Sequence, residues 1–171
     1  MKLLIISDSH GLTDEIVKIK NRHQIDYYIH CGDSELTFHS LVMKEFMKVA
    51  GNCDLDTYYP QDLIMDKQGI KIFITHGHHY HVKRNLHTLS YRAEEERAAI
   101  ICFGHTHIAG TGKMNGQLFI NPGSIQLPRG RKEKTYAILD VNSGNQVAQI
   151  SFYTIEGEEV QELYRQYTLE K

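Results

Sequence analysis

A mixed α/β fold, built as a two-sheet β-sandwich flanked by helices, is what the residue pattern of this 171-residue chain predicts. Two observations carry that expectation. The first two-thirds of the chain alternate short aliphatic runs with amphipathic stretches, as strands alternating with helices do. The last third spaces its apolar runs around Asn-Gly and Ser-Gly turns, as antiparallel hairpins do. Segments of both kinds pack as sheets face to face with helices outside.

Lys2 to Ser7 reads as a buried strand, an aliphatic run stopped by Asp8-Ser9-His10-Gly11. Leu12 to His23 carries Ile16, Val17 and Ile19 at helical spacing, with Thr13 or Asp14 available to cap its start. Asp26 to Cys31 is a second strand, ending at Gly32-Asp33. Leu36 to Phe46 holds Leu41, Val42, Met43 and Phe46 at helical spacing, and Lys48 to Ala50 is a short strand before Gly51-Asn52. Leu63 to Met65 and Ile70 to Thr75 flank Lys67-Gln68-Gly69 as a hairpin, the second strand ending at His76-Gly77-His78. Leu86 to Arg97 reads as a helix with Glu94, Glu95 and Glu96 on its solvated face. Ala99 to Phe103 is a further buried strand, ending at Gly104-His105-Thr106-His107. Met114-Asn115-Gly116 then turns into a strand over Leu118 to Ile120. Tyr136 to Val141 and Val147 to Tyr153 flank a second hairpin turn, Asn142-Ser143-Gly144-Asn145. Glu156 to Lys171, rich in charge, is compatible with a short helix or a frayed end. No repeat, low-complexity stretch or linker divides the chain, so residues 1–171 are expected to form one domain.

The composition, 41% apolar and 23% charged, is that of an ordinary globular protein. A formal charge of -2 gives no global pull toward nucleic acid or anionic membrane, and no basic stripe with interleaved aromatics appears. An anionic substrate would have to be drawn by a local positive site. No apolar stretch reaches the roughly 20 residues needed to span a bilayer. Asp8 and His10 cut the N-terminal run short of a signal-peptide core. Cys31, Cys53 and Cys102 are odd in number and lack CxxC spacing, which argues against a disulfide framework and for the cytoplasm.

The informative feature is positional. Five apolar strands in succession end at Asp8-Ser9-His10, Gly32-Asp33, Gly51-Asn52-Cys53-Asp54, His76-Gly77-His78 and Gly104-His105-Thr106-His107. Ligands gather at the carboxyl ends of strands in open α/β sheets, so strands lying side by side would bring these clusters to one edge. Carboxylates and imidazoles suit divalent ions such as Mn²⁺, Fe²⁺ or Zn²⁺. Asp8, His10, Asp33, Asn52, His76, His105 and His107 outnumber the ligands of one tetrahedral zinc and suffice for two metals if one carboxylate bridges. Two dications against Asp8 and Asp33 would leave a net positive site, a local anion trap. Paired metals about 3.5–4 Å apart suit phosphoryl transfer.

The ordered series Asp-x-His, Gly-Asp, Gly-Asn-x-Asp, His-Gly-His and Gly-His-x-His resembles the calcineurin-like metallophosphoesterase superfamily. The short length, the Gly-Asn-Cys-Asp motif and Asn121-Pro122-Gly123-Ser124 are similar to its small bacterial and archaeal phosphodiesterase branch, over Met1 to about Val141. The resemblance implies a four-layer αββα fold and a binuclear-metal-dependent phosphodiesterase whose nucleophile is a metal-bridging hydroxide. It implies one metal on Asp8, His10, Asp33 and His107, another on Asp33, Asn52, His76 and His105, with Asp33 bridging. The cofactors expected are two divalent ions per chain, Mn²⁺ first, with Ni²⁺, Fe²⁺ or Zn²⁺ as alternatives. Many members place His after the Asn of the third motif, where it can protonate the leaving group; here that residue is Cys53. The general acid is thus open between Cys53, His78 and water.

Other residues carry plainer readings. His30 sits inside an apolar strand as a core histidine, and His23, His39 and His87 read as surface residues. Asp54 is expected to orient backbone or a ligand from behind. Asn121 to Ser124 could line the site rim or simply turn the chain, and Arg129 and Arg131 could touch a substrate phosphate or only be solvated. The partner expected is a small phosphate ester, and a homo-oligomer is compatible with this reading. A phosphomonoesterase acting on a small metabolite is the alternative enzyme. A non-catalytic scaffold of the same fold, such as the small retromer subunit, is the alternative of another class, and seven competent ligands argue against it.

Overall fold

The computed structural model describes residues 1–142, 144 and 146–169. In chain order its elements are β1 (Lys2–Ile6), α1 (Thr13–Arg22), β2 (Tyr27–His30), β3 (Phe46–Lys48), β4 (Asp62–Lys67), β5 (Ile70–Thr75), α2 (His87–Glu95), β6 (Ile100–Cys102), β7 (Gly110–Met114), β8 (Gln117–Asn121), β9 (Thr135–Asn142), β10 (Val147–Thr154) and β11 (Arg165–Thr168). Six strands form one mixed sheet in the order β11-β10-β9-β1-β2-β3, and five form a second in the order β4-β5-β6-β8-β7.

The aliphatic run of β1 is continuous because both its faces are buried. Leu3 and Ile5 join Ile72, Ile74, Ile100 and Ile120 of the second sheet in the central core. Leu4 and Ile6 face the other way and meet Ile16 and Ile19 of α1. On the far side, Leu89 and Ala93 of α2 cover Phe73, Ile101 and Phe119 of the five-stranded sheet. The layers therefore run helix, sheet, sheet, helix. Each buried aliphatic side chain contributes about 1.5–3 kcal/mol, so a charged residue at Ile5 would open the middle of the molecule.

Both tight hairpins follow their turn residues. Gln68 and Gly69 connect β4 to β5 with φ of 54° and 75°, and Asn115 and Gly116 connect β7 to β8 with 51° and 78°. Two successive positive φ values make the turn whose twist matches that of the strands. Ser143 and Asn145 of the β9–β10 turn lie outside the described residues, although Asn142 pairs with Val147 at its base.

Some expectations are corrected. Leu36 to Phe46 is no helix: only Leu41–Met43 forms a 3₁₀ turn, and Phe46 begins β3. Acidic side chains from the next loop hold the start of this backbone instead, Asp56 accepting from the Phe38 amide and Asp54 from that of Glu35 just before it. The strand expected at Lys48 to Ala50 lies two residues earlier. Neither Thr13 nor Asp14 caps α1; Leu12 holds the cap position, with its amide donating to the Ser9 carbonyl. Asp14 and Glu15 complement the helix dipole from the first turn. His23 is half-buried, with Nε2 2.7 Å from the Tyr136 hydroxyl. The charged tail forms a 3₁₀ turn at Gln161–Leu163 and the edge strand β11; Glu170 and Lys171 lie outside the described residues.

β1, β2 and β3 are mutually parallel, as are β5, β6 and β8. The loops after β1, β2 and β3 leave one edge of their sheet, those after β5 and β6 leave one edge of the other, and side-chain hydrogen bonds tie the two sets together.

Candidate metal centre

The loops that carry Asp8 and Asp33 are tied together: the Asp8 amide donates to the Gly32 carbonyl and the His10 amide to that of Asp33, each at 3.0 Å. Within the second sheet the Gly104 amide donates to the His76 carbonyl at 3.2 Å, and the His105 amide donates to Asp8 Oδ2 at 3.2 Å, joining the two sheets. Five of the seven predicted ligands, Asp8, His10, Asp33, His105 and His107, adopt left-handed φ between 42° and 66°. Such backbone costs of order 1–3 kcal/mol per residue outside glycine and gathers at functional sites. Two glycines explain themselves by crowding. A Cβ on Gly51 would fall onto the Asp33 carboxylate, and one on Gly104 onto the Ser7 hydroxyl.

Three histidines present the same nitrogen to the centre. His76 Nδ1 donates to the Cys31 carbonyl at 2.7 Å and His107 Nδ1 to that of Leu127 at 2.7 Å, so Nε2 is the free ligand atom of each. His10 Nδ1 lies 2.7 Å from Glu35 Oε1, which likewise turns its Nε2 inward. Ser7 Oγ donates to Asp8 Oδ2 at 2.6 Å, which leaves Oδ1 facing the site. Asp33 Oδ1 accepts the Cys53 amide at 2.7 Å, while Oδ2 lies 3.3 Å from His76 Nε2. Asn52 Oδ1 stands 3.2 Å from the same nitrogen.

Ligand atoms of Asp8, His10 and His107 lie within 4.8 Å of one another, as do those of Asp8, Asp33 and His76. Asp8 is the residue these two groups share. His105 falls in neither, although its ring centroid is 5.0 Å from that of His76. A third group joins His10, Glu35 and Cys53. The donor set tests well for a cation. Asp8 Oδ1 and His10 Nε2 are buried without a hydrogen-bond partner, and His107 Nε2 approaches Asp8 Oδ1 at 3.1 Å without hydrogen-bond geometry. A buried polar atom left unpaired costs about 1–3 kcal/mol, more when charged, and a divalent ion would satisfy both.

The electrostatics agree. Burial alone would raise the Asp33 carboxyl, but His76 and the Cys53 amide outweigh it and hold Asp33 well below the usual carboxylate range. Burial pulls His76 down, yet Asp33 and Asp8 leave its pKa raised. The Asp8 carboxylate also raises His107 against its partial burial. Carboxylates that favour positive charge on two adjacent rings would favour a metal cation in the same space. His105 and His78 behave differently: burial, then the charge of His76, lowers each to about 4. Cys53 is exposed, and burial of its sulfur together with Asp33 pushes the thiol up to about 11, so it keeps its proton at neutral pH.

Asp54 stands behind the centre. It accepts from the amides of Asp33 and Gly51 at 2.8 Å and of Glu35 at 2.7 Å, and from Ser34 Oγ. Asn121 and Ser124 lie beneath the site and not at its rim: Asn121 Nδ2 donates to the Gly104 carbonyl and Ser124 Oγ to that of Asp8. His30 is fully buried, with Nε2 2.9 Å from Ser9 Oγ. Arg131 is paired with Glu133 and Glu162, whereas the Arg129 amide donates to the His107 carbonyl. Sequence reasoning missed Glu35 and Ser7, and named Ser124 only as a candidate for the rim. Glu35 alone left a signal, as a second acid two residues past Asp33.

Comparison with known proteins agrees with this geometry. The model of the calcineurin-like phosphoesterase superfamily domain matches residues 1–144. The probable metallophosphoesterase YsnB of Bacillus subtilis is 45% identical over 171 residues, covering 99% of this chain and 100% of its own. The phosphodiesterase YfcE of Escherichia coli K12 is 26% identical over 171 residues, covering 82% and 88%. The crystal structure of a predicted phosphoesterase from Streptococcus pneumoniae TIGR4 superposes with a TM-score of 0.92 at 33% identity, covering 98% of this chain and 97% of that one.

Proposed function

The chain belongs to the calcineurin-like phosphoesterase superfamily, and on that premise we propose that this metal-dependent phosphoesterase hydrolyses phosphodiesters at a binuclear centre. The reading further takes residues 1–171 as one domain, the cytoplasm as its location and Mn²⁺ as its ion. The observation that carries it is the pair of buried, unpartnered ligand atoms, Asp8 Oδ1 and His10 Nε2, facing His107 Nε2 beside the Asp33–His76–Asn52 cluster. Divalent ions held there would lower the pKa of water and polarise phosphoryl oxygens.

The chain's own groups do the remaining work. Asp8, His10, Asp33 and His107 would hold one ion and Asp33, Asn52, His76 and His105 the other. The Cys31 and Leu127 carbonyls fix the tautomers of His76 and His107, so no rotation is needed when a ligand arrives. The carboxylates of Asp8 and Asp33 each have one oxygen locked by a donor and one directed to the centre. Leaving-group protonation has two candidates. Cys53 holds a proton but as a weak donor, and His78 is neutral near pH 7 because burial and His76 oppose its charge.

Removing Asp33 tests the reading most directly, since it would contribute to both ions. Metal analysis after reconstitution with Mn²⁺ is expected to give two equivalents for the wild type and fewer than one for Asp33→Ala. Hydrolysis of bis(p-nitrophenyl) phosphate should fall with it. Two tightly bound equivalents in active Asp33→Ala protein would exclude the bridge.

A further inference from the structure

The outer face of the five-stranded sheet is an apolar layer under α2, made by Phe73, Ile101, Phe119 and Met114 among others. On β7 only Met114 continues that layer. Strand side chains alternate, and Thr111 of β7 turns to the inner face, where its hydroxyl lies 2.9 Å from that of Tyr167. Positions 110 and 112 therefore share the outer face with Met114, and both are glycine.

Neither glycine is demanded by the backbone. Their φ angles lie outside the left-handed region, and a Cβ added at either would meet nothing within 4 Å. Phe119 pairs with Gly112 in register, yet it does not cover that space. Glycine weakens a strand, and its use in one commonly marks the close approach of another molecule. Here the two missing side chains open a cavity of about 580 Å³ walled by Val82, Leu86, Phe103 and Phe119. That is the size and character of a small-molecule pocket.

The cavity and the metal centre share a wall. Thr106, between His105 and His107, lines the cavity, and Asn121 Nδ2 holds it at 3.0 Å on Oγ1. Two cations, Lys83 and Arg129, also line the cavity, and among the described residues neither makes an ion pair. We infer that this cavity is the seat of one ester group of the substrate, so that the preferred phosphodiesters carry an apolar, ring-sized alcohol beside the reacting phosphate. The inference rests on the phosphodiesterase reading for its chemistry, and on the glycine pair and the shared loop for its place. In hydrolysis, the oxygen of water bonds to phosphorus and loses a proton, the bond from phosphorus to the departing alcohol breaks, that alcohol's oxygen takes up a proton, and the monoester retains the group in the cavity.

The test uses the Mn²⁺-loaded protein and Gly112→Val, with Gly110→Val as a second variant. Valine favours a strand, and at these positions it fills open space, so both variants should fold. Two non-hydrolysable phosphinates, dimethylphosphinate and methyl(1-naphthylmethyl)phosphinate, are titrated calorimetrically. Wild type should bind the naphthyl compound about tenfold or more tightly than the dimethyl one, as burial of a ring implies. In the valine variants that ratio should fall to near one. The kcat/KM ratio for 1-naphthyl over methyl p-nitrophenyl phosphate should collapse in parallel. Equal binding of the two phosphinates by wild type, or a preference that survives in folded valine variants, would overturn the inference. A phosphinate preference lost in the variants, with neither diester hydrolysed, would uphold the cavity and sink the phosphodiesterase reading.

Discussion

Glu35 shows how much one exposed side chain can govern. Its carboxylate fixes His10 Nδ1 at 2.7 Å, so the orientation of an inward-facing ligand atom depends on a residue at the surface. Groups that orient a metal-bound histidine typically matter about 10–100-fold in affinity. Glu35→Ala should weaken metal binding by about that factor, with little change in the thermal midpoint of chelated protein. Competition against a chelator measures it, and unaltered affinity would remove Glu35 from the centre. His30 makes a different prediction. Burial, opposed by Asp54, Asp8 and Asp33, lowers its pKa to about 4. The unfolded chain takes up that proton near pH 6.5, whereas the folded one resists until about 4. The unfolded state therefore binds more protons across this window, and stability is lost as pH falls through it. The loss is on the order of 3 kcal/mol when complete. His30→Gln should flatten that part of the chelated protein's stability curve in urea, and an unchanged slope between pH 7 and 4.5 would exclude His30 as its source.

Among elements, the β4–β5 hairpin isolates a backbone cost. Gly69 has a φ of 75° and a Cβ there would meet nothing within 4 Å, so Gly69→Ala changes conformational strain without contact. A loss of about 1–2 kcal/mol is expected in denaturant unfolding, and no loss would mean the turn rearranges freely. The same hairpin was legible in the sequence because Gln68-Gly69 sits between two short apolar runs. The strands carrying the predicted ligands were legible for a related reason, each being an aliphatic run that ends in polar residues. Leu36 to Phe46 was not. Its helical spacing is real, but Asp56 from the following loop claims the Phe38 amide and Asp54 that of Glu35 just before it, and such tertiary bonds cannot be read from local periodicity. Glu35 and Ser7 escaped for the same reason, since each acts on a ligand through folding. Gly110 and Gly112 left no signal in the sequence, since their meaning lies in the open space above them.

At the scale of the whole molecule, the centre is shared between sheets. Asp8, His10, Asp33 and Asn52 follow strands of the six-stranded sheet, and His76, His105 and His107 follow strands of the other. Ions bound there would clamp the two sheets at one edge. Free Mn²⁺ at about a hundred times its dissociation constant should add about 2.7 kcal/mol of stability if the unfolded chain binds none. Calorimetry with and without chelator checks this, and an unmoved midpoint would mean the ions do not bridge the sheets. The six-stranded sheet also sets a timetable. β1, which leads into Asp8 and His10, lies between β2 and β9, and its Leu3 pairs on one side with Leu139. As a ribosome extends the chain, the strand that launches the first ligands has an open edge until more than a hundred further residues have emerged. Long-range pairing of this kind is slow and leaves apolar edges exposed meanwhile. Nascent chains stalled before Thr135 should therefore be protease-sensitive and unable to retain metal, which makes cofactor capture one of the last events of biosynthesis.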